Sequence, residues 1–351
     1  MSNVHSNTHE PLAAANSDAA RLPIPNKPVA ARRRDASASW IEPLQHEIGR
    51  VLVGQKELVD GLLISLLSGG HVLLEGVPGL AKTLALKTLA RALHGSFARI
   101  QFTPDMLPSD VVGTLIYNPR EGSFETKHGP VFANFVLADE INRAPAKVQS
   151  ALLESMQEHQ VTIGDATHPL PRPFMVMATQ NPLEQEGTYP LPEAQLDRFM
   201  FKLLVSYPSN AEELRIVASM ASTAPKLEVA PLVTMTEVCA SRAAVDDVYV
   251  DDRIVQYIVS LVDSTRHPAR YGLELSRLIR CGASPRASIA LALASKARAY
   301  MQGRDYVTPQ DVKVLAPYVL RHRIVVTYEA EAQRLDSEHI INSALDQLPI
   351  P

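Results

Sequence analysis

Apolar residues along this chain follow two different spacings, and the change from one to the other divides it. From Trp40 onward, Ile41, Leu44, Ile48, Val51 and Leu52 recur near helical spacing and stop at Val53-Gly54-Gln55. A second helical run, Glu57 to Leu67, closes at Ser68-Gly69-Gly70. Short apolar runs then take over: His71 to Glu75, Phe97 to Phe102, Phe135 to Ala138, Phe174 to Ala178 and Phe199 to Leu204. Each ends where a polar residue appears, and helical patterns separate them. That alternation predicts an α/β core, a parallel five-stranded sheet between helices. From about Asn210 the strand pattern is lost. Glu212 to Met220, Arg253 to Ser264, Ser288 to Met301 and Asp311 to Leu320 carry apolar residues at three- and four-residue spacing. Thr308-Pro309-Gln310-Asp311 starts a helix, with Thr as cap, Pro in the first turn and an acid three residues on.

The expected organisation is an α/β core over residues 39–207 and a smaller all-helical domain over 208–351. Residues 1–38, rich in Ala, Asn, Ser and Pro, have few large apolar side chains to offset the entropy of ordering and read as a disordered tail. A chain of 351 residues suits about two domains. With 34 Lys+Arg against 38 Asp+Glu the net charge is −4, so no global basic field favours nucleic acid or an anionic membrane. The most apolar window, Leu62 to Val77, is interrupted by Ser, Gly, His and Glu and is not expected to span a bilayer. No apolar stretch near the start resembles a signal peptide, and Arg32-Arg33-Arg34 runs into Asp35, so a cytoplasmic protein is expected. Cys239 and Cys281 have no metal-ligand or redox spacing and are expected to be small buried side chains in helical surroundings.

The chemistry gathers at the ends of the predicted strands. Gly76-Val77-Pro78-Gly79-Leu80-Ala81-Lys82-Thr83 joins the first strand to a helix and reads as a phosphate-binding loop. Its backbone N–H groups and the positive end of the helix would surround a polyphosphate, Lys82 would neutralise outer oxygens, and the Thr83 hydroxyl could ligate magnesium. Ala81 stands where the general pattern has glycine, so a plain Gly/Pro turn is the competing reading. The third strand ends in Asp139-Glu140. Asp139 can hold magnesium directly or through water, and Glu140 can polarise a water for attack on a γ-phosphate. Asn181, after the fourth strand, can orient a water or a phosphate oxygen; a turn at Asn181-Pro182 is the alternative. Arg198, just before the last strand, could reach a nucleotide held by a neighbouring subunit; pairing with Asp197 or a solvated side chain is the alternative. Ser284-Pro285-Arg286 starts a helix with an arginine in its first turn, where an anion such as a nucleotide phosphate would account for the charge; a local contact to Glu274, or solvent, is the alternative.

Taken together, Gly76 to Thr83, Leu137 to Ala144, Ala178 to Pro182, Glu184 to Phe199 and Gly282 to Arg286 resemble the MoxR family of AAA+ ATPases, from about Ile41 to the C-terminus. Gly-Val-Pro-Gly-Leu-Ala-Lys-Thr is a common form of the loop in that family. The resemblance implies an ATPase that uses ATP and Mg2+. Gly76, Val77, Pro78, Gly79, Leu80, Ala81, Lys82 and Thr83 would form Walker A, and Asp139 and Glu140 Walker B. Asn181 would be sensor 1, Arg198 an arginine finger acting on a neighbour's ATP, and Arg286 sensor 2. Val53 and Gly54, with Gln55, match the segment lining the adenine pocket. It also implies a hexameric ring, a protein client, a von Willebrand A domain partner and chaperone-like remodelling, as in complex assembly or metalloenzyme maturation. A β-hairpin insertion is expected near 111–132 and a second hairpin at Val161 to Asp165, with Tyr117 and Phe124 as candidate client or pore contacts. The rival classes are a nucleic-acid motor of the same clade and a non-hydrolysing scaffold.

Overall fold

A computed structural model describes residues 38–77, 79–181, 187–223 and 227–351. Residues 1–37 of the expected tail, Pro78 and the stretches 182–186 and 224–226 lie outside these residues. The strands are β1 (Val72–Glu75), β2 (Phe97–Gln101), β3 (Gly113–Asn118), β4 (Ser123–His128), β5 (Phe135–Asp139), β6 (Gln160–Ile163), β7 (Ala166–Pro169), β8 (Met175–Gln180), β9 (Phe201–Leu204), β10 (Ile279–Cys281) and β11 (Val325–Val326). Helices α1 (Ile41–Gly49), α2 (Lys56–Leu67), α3 (Lys82–Ala92), α4 (Pro108–Val112), α5 (Ala146–Glu158) and α6 (Glu193–Leu196) belong to the sheet region. After it come α7 (Asn210–Met220), α8 (Met235–Asp246), α9 (Asp252–Arg266), α10 (Pro285–Met301), α11 (Pro309–Leu320), α12 (Tyr328–Ala332) and α13 (Ser337–Gln347).

Five strands form one parallel sheet in the order β2-β5-β8-β1-β9. Its central strands are buried on both faces, which is why they read as unbroken apolar runs. Val72, Leu74, Phe135, Leu137, Met175 and Met177 pack with α1, α2 and α3 on one face, in a cluster that continues into the C-terminal helices. Leu73, Val136, Ala138, Val176 and Ala178 pack on the other face against Val148, Leu152 and Leu153 of α5. Two antiparallel hairpins, β3-β4 and β6-β7, stand outside the sheet.

Among the described residues the C-terminal region is helical apart from a short antiparallel ribbon of β10 and β11 and an isolated bridge between Tyr249 and Tyr306. Against expectation, neither cysteine is buried. Cys281 lies on the ribbon and is exposed, and so is Cys239. α8 turns Val238, Ser241 and Val245 inward, and Cys239, one residue past Val238, is rotated away from that stripe. Among the described residues no helix is long and apolar enough to cross a membrane.

His71, at the entrance to β1, is buried. Its Nδ1 accepts the Val176 amide at 3.0 Å, so the proton sits on Nε2, which donates to the Met156 carbonyl at 3.1 Å. Burial depresses its pKa from 6.5 to about 4. The folded state therefore favours the neutral ring. Stability present above pH 6.5 is lost as the pH falls toward 4, by about 3 kcal/mol from this group. His322, also buried and bonded to the Phe199 carbonyl, is pushed well below its ordinary value and acts with the same sign. Urea midpoints should fall between pH 7.5 and 4.5, and His71→Gln should flatten that fall.

Candidate active site

β1 delivers the chain to the loop at Glu75. β8 ends beside it with Gln180 opposite Glu75, and farther along the sheet β2 and β5 end with Gln101 opposite Asp139, so these polar strand ends line up along one edge of the sheet. Gly76 is required there by close approach, because a Cβ would meet the Val205 carbonyl at 2.7 Å. Gly79 takes φ +86 and faces open space. Ala81 takes φ 55, ψ 20, a left-handed conformation that costs a non-glycine residue about 1 kcal/mol and explains why glycine is usual at this position. Ala81 is also the N-cap of α3 and has no side-chain bond to the first-turn amides. Those amides, an open loop and an incoming lysine fit a bound polyphosphate. Val77 and Thr83 are half-buried and Leu80 is buried. Lys82 Nζ donates to the Gly76 carbonyl at 2.6 Å, across the loop that a phosphate would fill. Its pKa is lowered by burial, against the opposing pull of Asp139 and Glu140.

The two acids are held by side chains that are not adjacent in sequence. Thr179, 1% exposed, donates its hydroxyl to Asp139 Oδ1 at 2.7 Å and accepts the Glu140 amide at 2.9 Å. Arg99 on β2 grips Asp139 Oδ2 with Nε at 3.1 Å and Nη2 at 2.6 Å. The same Nη2 donates to Gln101 Oε1 at 2.6 Å, and Gln101 Nε2 donates to Glu140 Oε2 at 3.0 Å. Arg143 adds an ion pair to that oxygen at 2.9 Å. Glu140 itself has φ 56, so the backbone turns sharply and separates its carboxylate from that of Asp139. Asn181 is buried just beyond β8. Gln149, fully buried on α5, donates from Nε2 to the Ile141, Ala144 and Tyr189 carbonyls and so ties the acid-bearing turn to the segment leading to Arg198.

Arg198 and Arg286 lie elsewhere. Met200 N donates to the His71 carbonyl, which places the Asp197-Arg198 turn at the entrance to β1 and not at its exit. Both arginines line one cavity of about 320 Å³ with Ser68, Gly70, His71 and His159. Four strand residues at about 3.3 Å each separate that edge from the phosphate loop. The structure therefore brings together Lys82, Thr83, Asp139 and Glu140 at one edge, and Arg198 with Arg286 at the other. Arg198 does not pair with Asp197; its Nη1 donates to the Leu153 carbonyl at 2.7 Å. Arg286 lies 3.7 Å from Asp197 and not beside Glu274. Between α1 and α2, Val53 is half-buried and Gly54 has φ +75, with the Glu212 carboxyl 2.7 Å from where a Cβ would stand.

The model of the ATPase family associated with various cellular activities (AAA) matches residues 71–201, and that of the AAA lid domain matches residues 275–344. Chaperone MoxR1 of Mycobacterium tuberculosis is 50% identical over 321 residues, 90% of this chain and 84% of the relative. The chain belongs to the MoxR family of AAA+ ATPases. Protein MoxR of Paracoccus denitrificans is 32% identical over 92% of this chain and 97% of its own. A solved chain from Cytophaga hutchinsonii superposes with a TM-score of 0.86 at 51% identity, covering 90% of this chain and 96% of that one. The fold is thus a AAA core with a AAA lid, in a family of nucleotide-binding, chaperone-type proteins.

Proposed function

We propose that this MoxR-family protein hydrolyses Mg-ATP at a site assembled from two neighbouring copies, and uses the resulting lid and core motion to remodel a protein client in the cytoplasm. One observation carries the reading: Arg198 and Arg286 share a cavity at the sheet edge opposite the phosphate loop. In a closed ring each copy offers its loop to one neighbour and its arginines to the other, and a hexamer is the ring proposed. Gly76 to Thr83 bind the polyphosphate, with Lys82 leaving the Gly76 carbonyl to meet it. Thr83 and Asp139 would hold magnesium, which neutralises charge on the phosphate oxygens. Asp139 would exchange its bond to Arg99 for that role. Glu140, released from Gln101 and Arg143, accepts a proton from the attacking water while Asn181 orients it. Arg198 and Arg286 from the neighbour stabilise the charge on the transferring phosphoryl group.

For the client, Tyr117 and Phe124 form an exposed ring pair with centroids 5.3 Å apart at the β3-β4 hairpin, flanked by exposed Leu115 and Ile116. We assign this surface to client contact, with a von Willebrand A domain protein as the partner and complex assembly or metalloenzyme maturation as the setting. Purified protein is expected to release phosphate from ATP with magnesium and to stop on chelation with EDTA. Phosphate release that survives chelation would argue against the assignment of Thr83 and Asp139.

A further inference from the structure

Asp197 sits immediately before Arg198, and its carboxylate is taken by the lid from two sides. Its Oδ1 accepts from Arg323 Nε at 2.7 Å, and its Oδ2 accepts from the Ser284 hydroxyl at 3.0 Å and lies 3.7 Å from Arg286 Nη1. Ser284 is the cap and Arg286 the first turn of α10, and Arg323 follows α11. The Arg323 side chain is 3% exposed. Its remaining N–H groups bond main-chain oxygens: Nη1 those of Met200 at 3.1 Å and Val319, and Nη2 those of Asp197 at 3.1 Å and Phe199 at 2.7 Å. The backbone on both sides of Arg198 is thereby pinned to the lid, whereas the Arg198 guanidinium itself bonds the Leu153 carbonyl of α5. A charge pair whose arginine is buried is a costly way to join two regions that could be joined by apolar contact. What the planar fork adds is direction, since it fixes the carboxylate and the carbonyls at once.

We propose that Asp197 and Arg323 are positioning residues: they form a clamp through which the lid sets the direction of Arg198 toward the neighbouring copy's nucleotide. The clamp rests on the reading that Arg198 acts on that nucleotide. When lid and core shift relative to each other, α10 and the end of α11 carry Asp197 with them, and Arg198 follows its backbone. The lid of one copy then controls hydrolysis in the next.

A double-mutant cycle on ATP turnover by the assembled protein tests this, with melting temperature and affinity for a fluorescent ATP analogue followed in parallel. Asp197→Asn keeps the shape and removes the charge. It is expected to lower turnover roughly tenfold or more, as a misdirected catalytic group does, with ATP affinity unchanged. Asp197→Asn combined with Arg198→Ala should be no slower than Arg198→Ala alone. Arg323→Lys keeps the charge pair and loses the fork; it should show the same non-additivity, and it supplies the cycle should Asp197→Asn fail to fold. Losses that multiply, or full turnover in a folded Asp197→Asn, would overturn the clamp while leaving Arg198 its role. Full turnover in Arg198→Ala would overturn the finger and the clamp with it.

Discussion

Glu140→Gln is expected to bind ATP as the parent does and to hydrolyse it roughly 10²–10⁴-fold more slowly, the range lost with a general base. The substitution is nearly isosteric. Gln101 Nε2, now 3.0 Å from Glu140 Oε2, can donate to a carboxamide oxygen in the same place, so the turn and its φ of 56 need not change. What disappears is the negative charge that pairs with Arg143 and that would receive the proton of the attacking water. Binding should survive because the phosphate cradle, Gly76 to Thr83, belongs to a different strand end. Equilibrium binding of a fluorescent ATP analogue and single-turnover phosphate release separate the two effects. Retained hydrolysis would move the base elsewhere, and a lost affinity would make Glu140 a binding residue.

Arg198→Ala should be the other large effect. An arginine finger contributes roughly 10³–10⁵ in turnover, and Arg198, proposed for that role, sits across the sheet from its own loop. Its removal is therefore expected to leave ATP binding by the same copy intact and to suppress hydrolysis in the neighbour. The structural cost is small, since the side chain is half-buried and gives up a bond to the Leu153 carbonyl, worth about 1 kcal/mol. Thermal melting should thus barely move while turnover collapses. A parallel loss of both would make Arg198 a packing residue.

The sheet was legible because its strands are covered on both faces, so Phe135 to Ala138 and Met175 to Ala178 are apolar without interruption. The candidate phosphate loop stood out because such a loop needs particular residues at fixed spacing, and even Ala81 marks the place where the backbone turns left-handed. The acid pair at the end of β5 was legible for the same local reason. Its keepers were not. Arg99 stands on an edge strand with a mixed pattern, and only the register that sets Arg99 opposite Leu137 and Gln101 opposite Asp139 brings it to the carboxylate. Arg323 meets Asp197 across the lid and core boundary, a contact that periodicity does not encode. Gln149 did leave a signal, a polar residue inside the apolar stripe of Val148, Leu152 and Leu153. The exposed cysteines show the limit of an apolar neighbourhood as a guide: one step along α8 turns Cys239 by about 100° from Val238, and Cys281 stands on the exposed ribbon strand β10 instead of a helix.

The claim that matters most is that the active site is shared between copies, and subunit mixing measures it directly. Lys82→Ala subunits lack a working loop but keep Arg198, whereas Arg198→Ala subunits keep the loop but offer no finger. Each alone should be inactive. Mixed in equal amounts and allowed to reassemble, random neighbours restore an intact loop facing an intact arginine at about a quarter of the interfaces, and turnover should return to about that fraction of the parent's. A mixture as inactive as its components would contradict the shared site and confine both residues to one subunit.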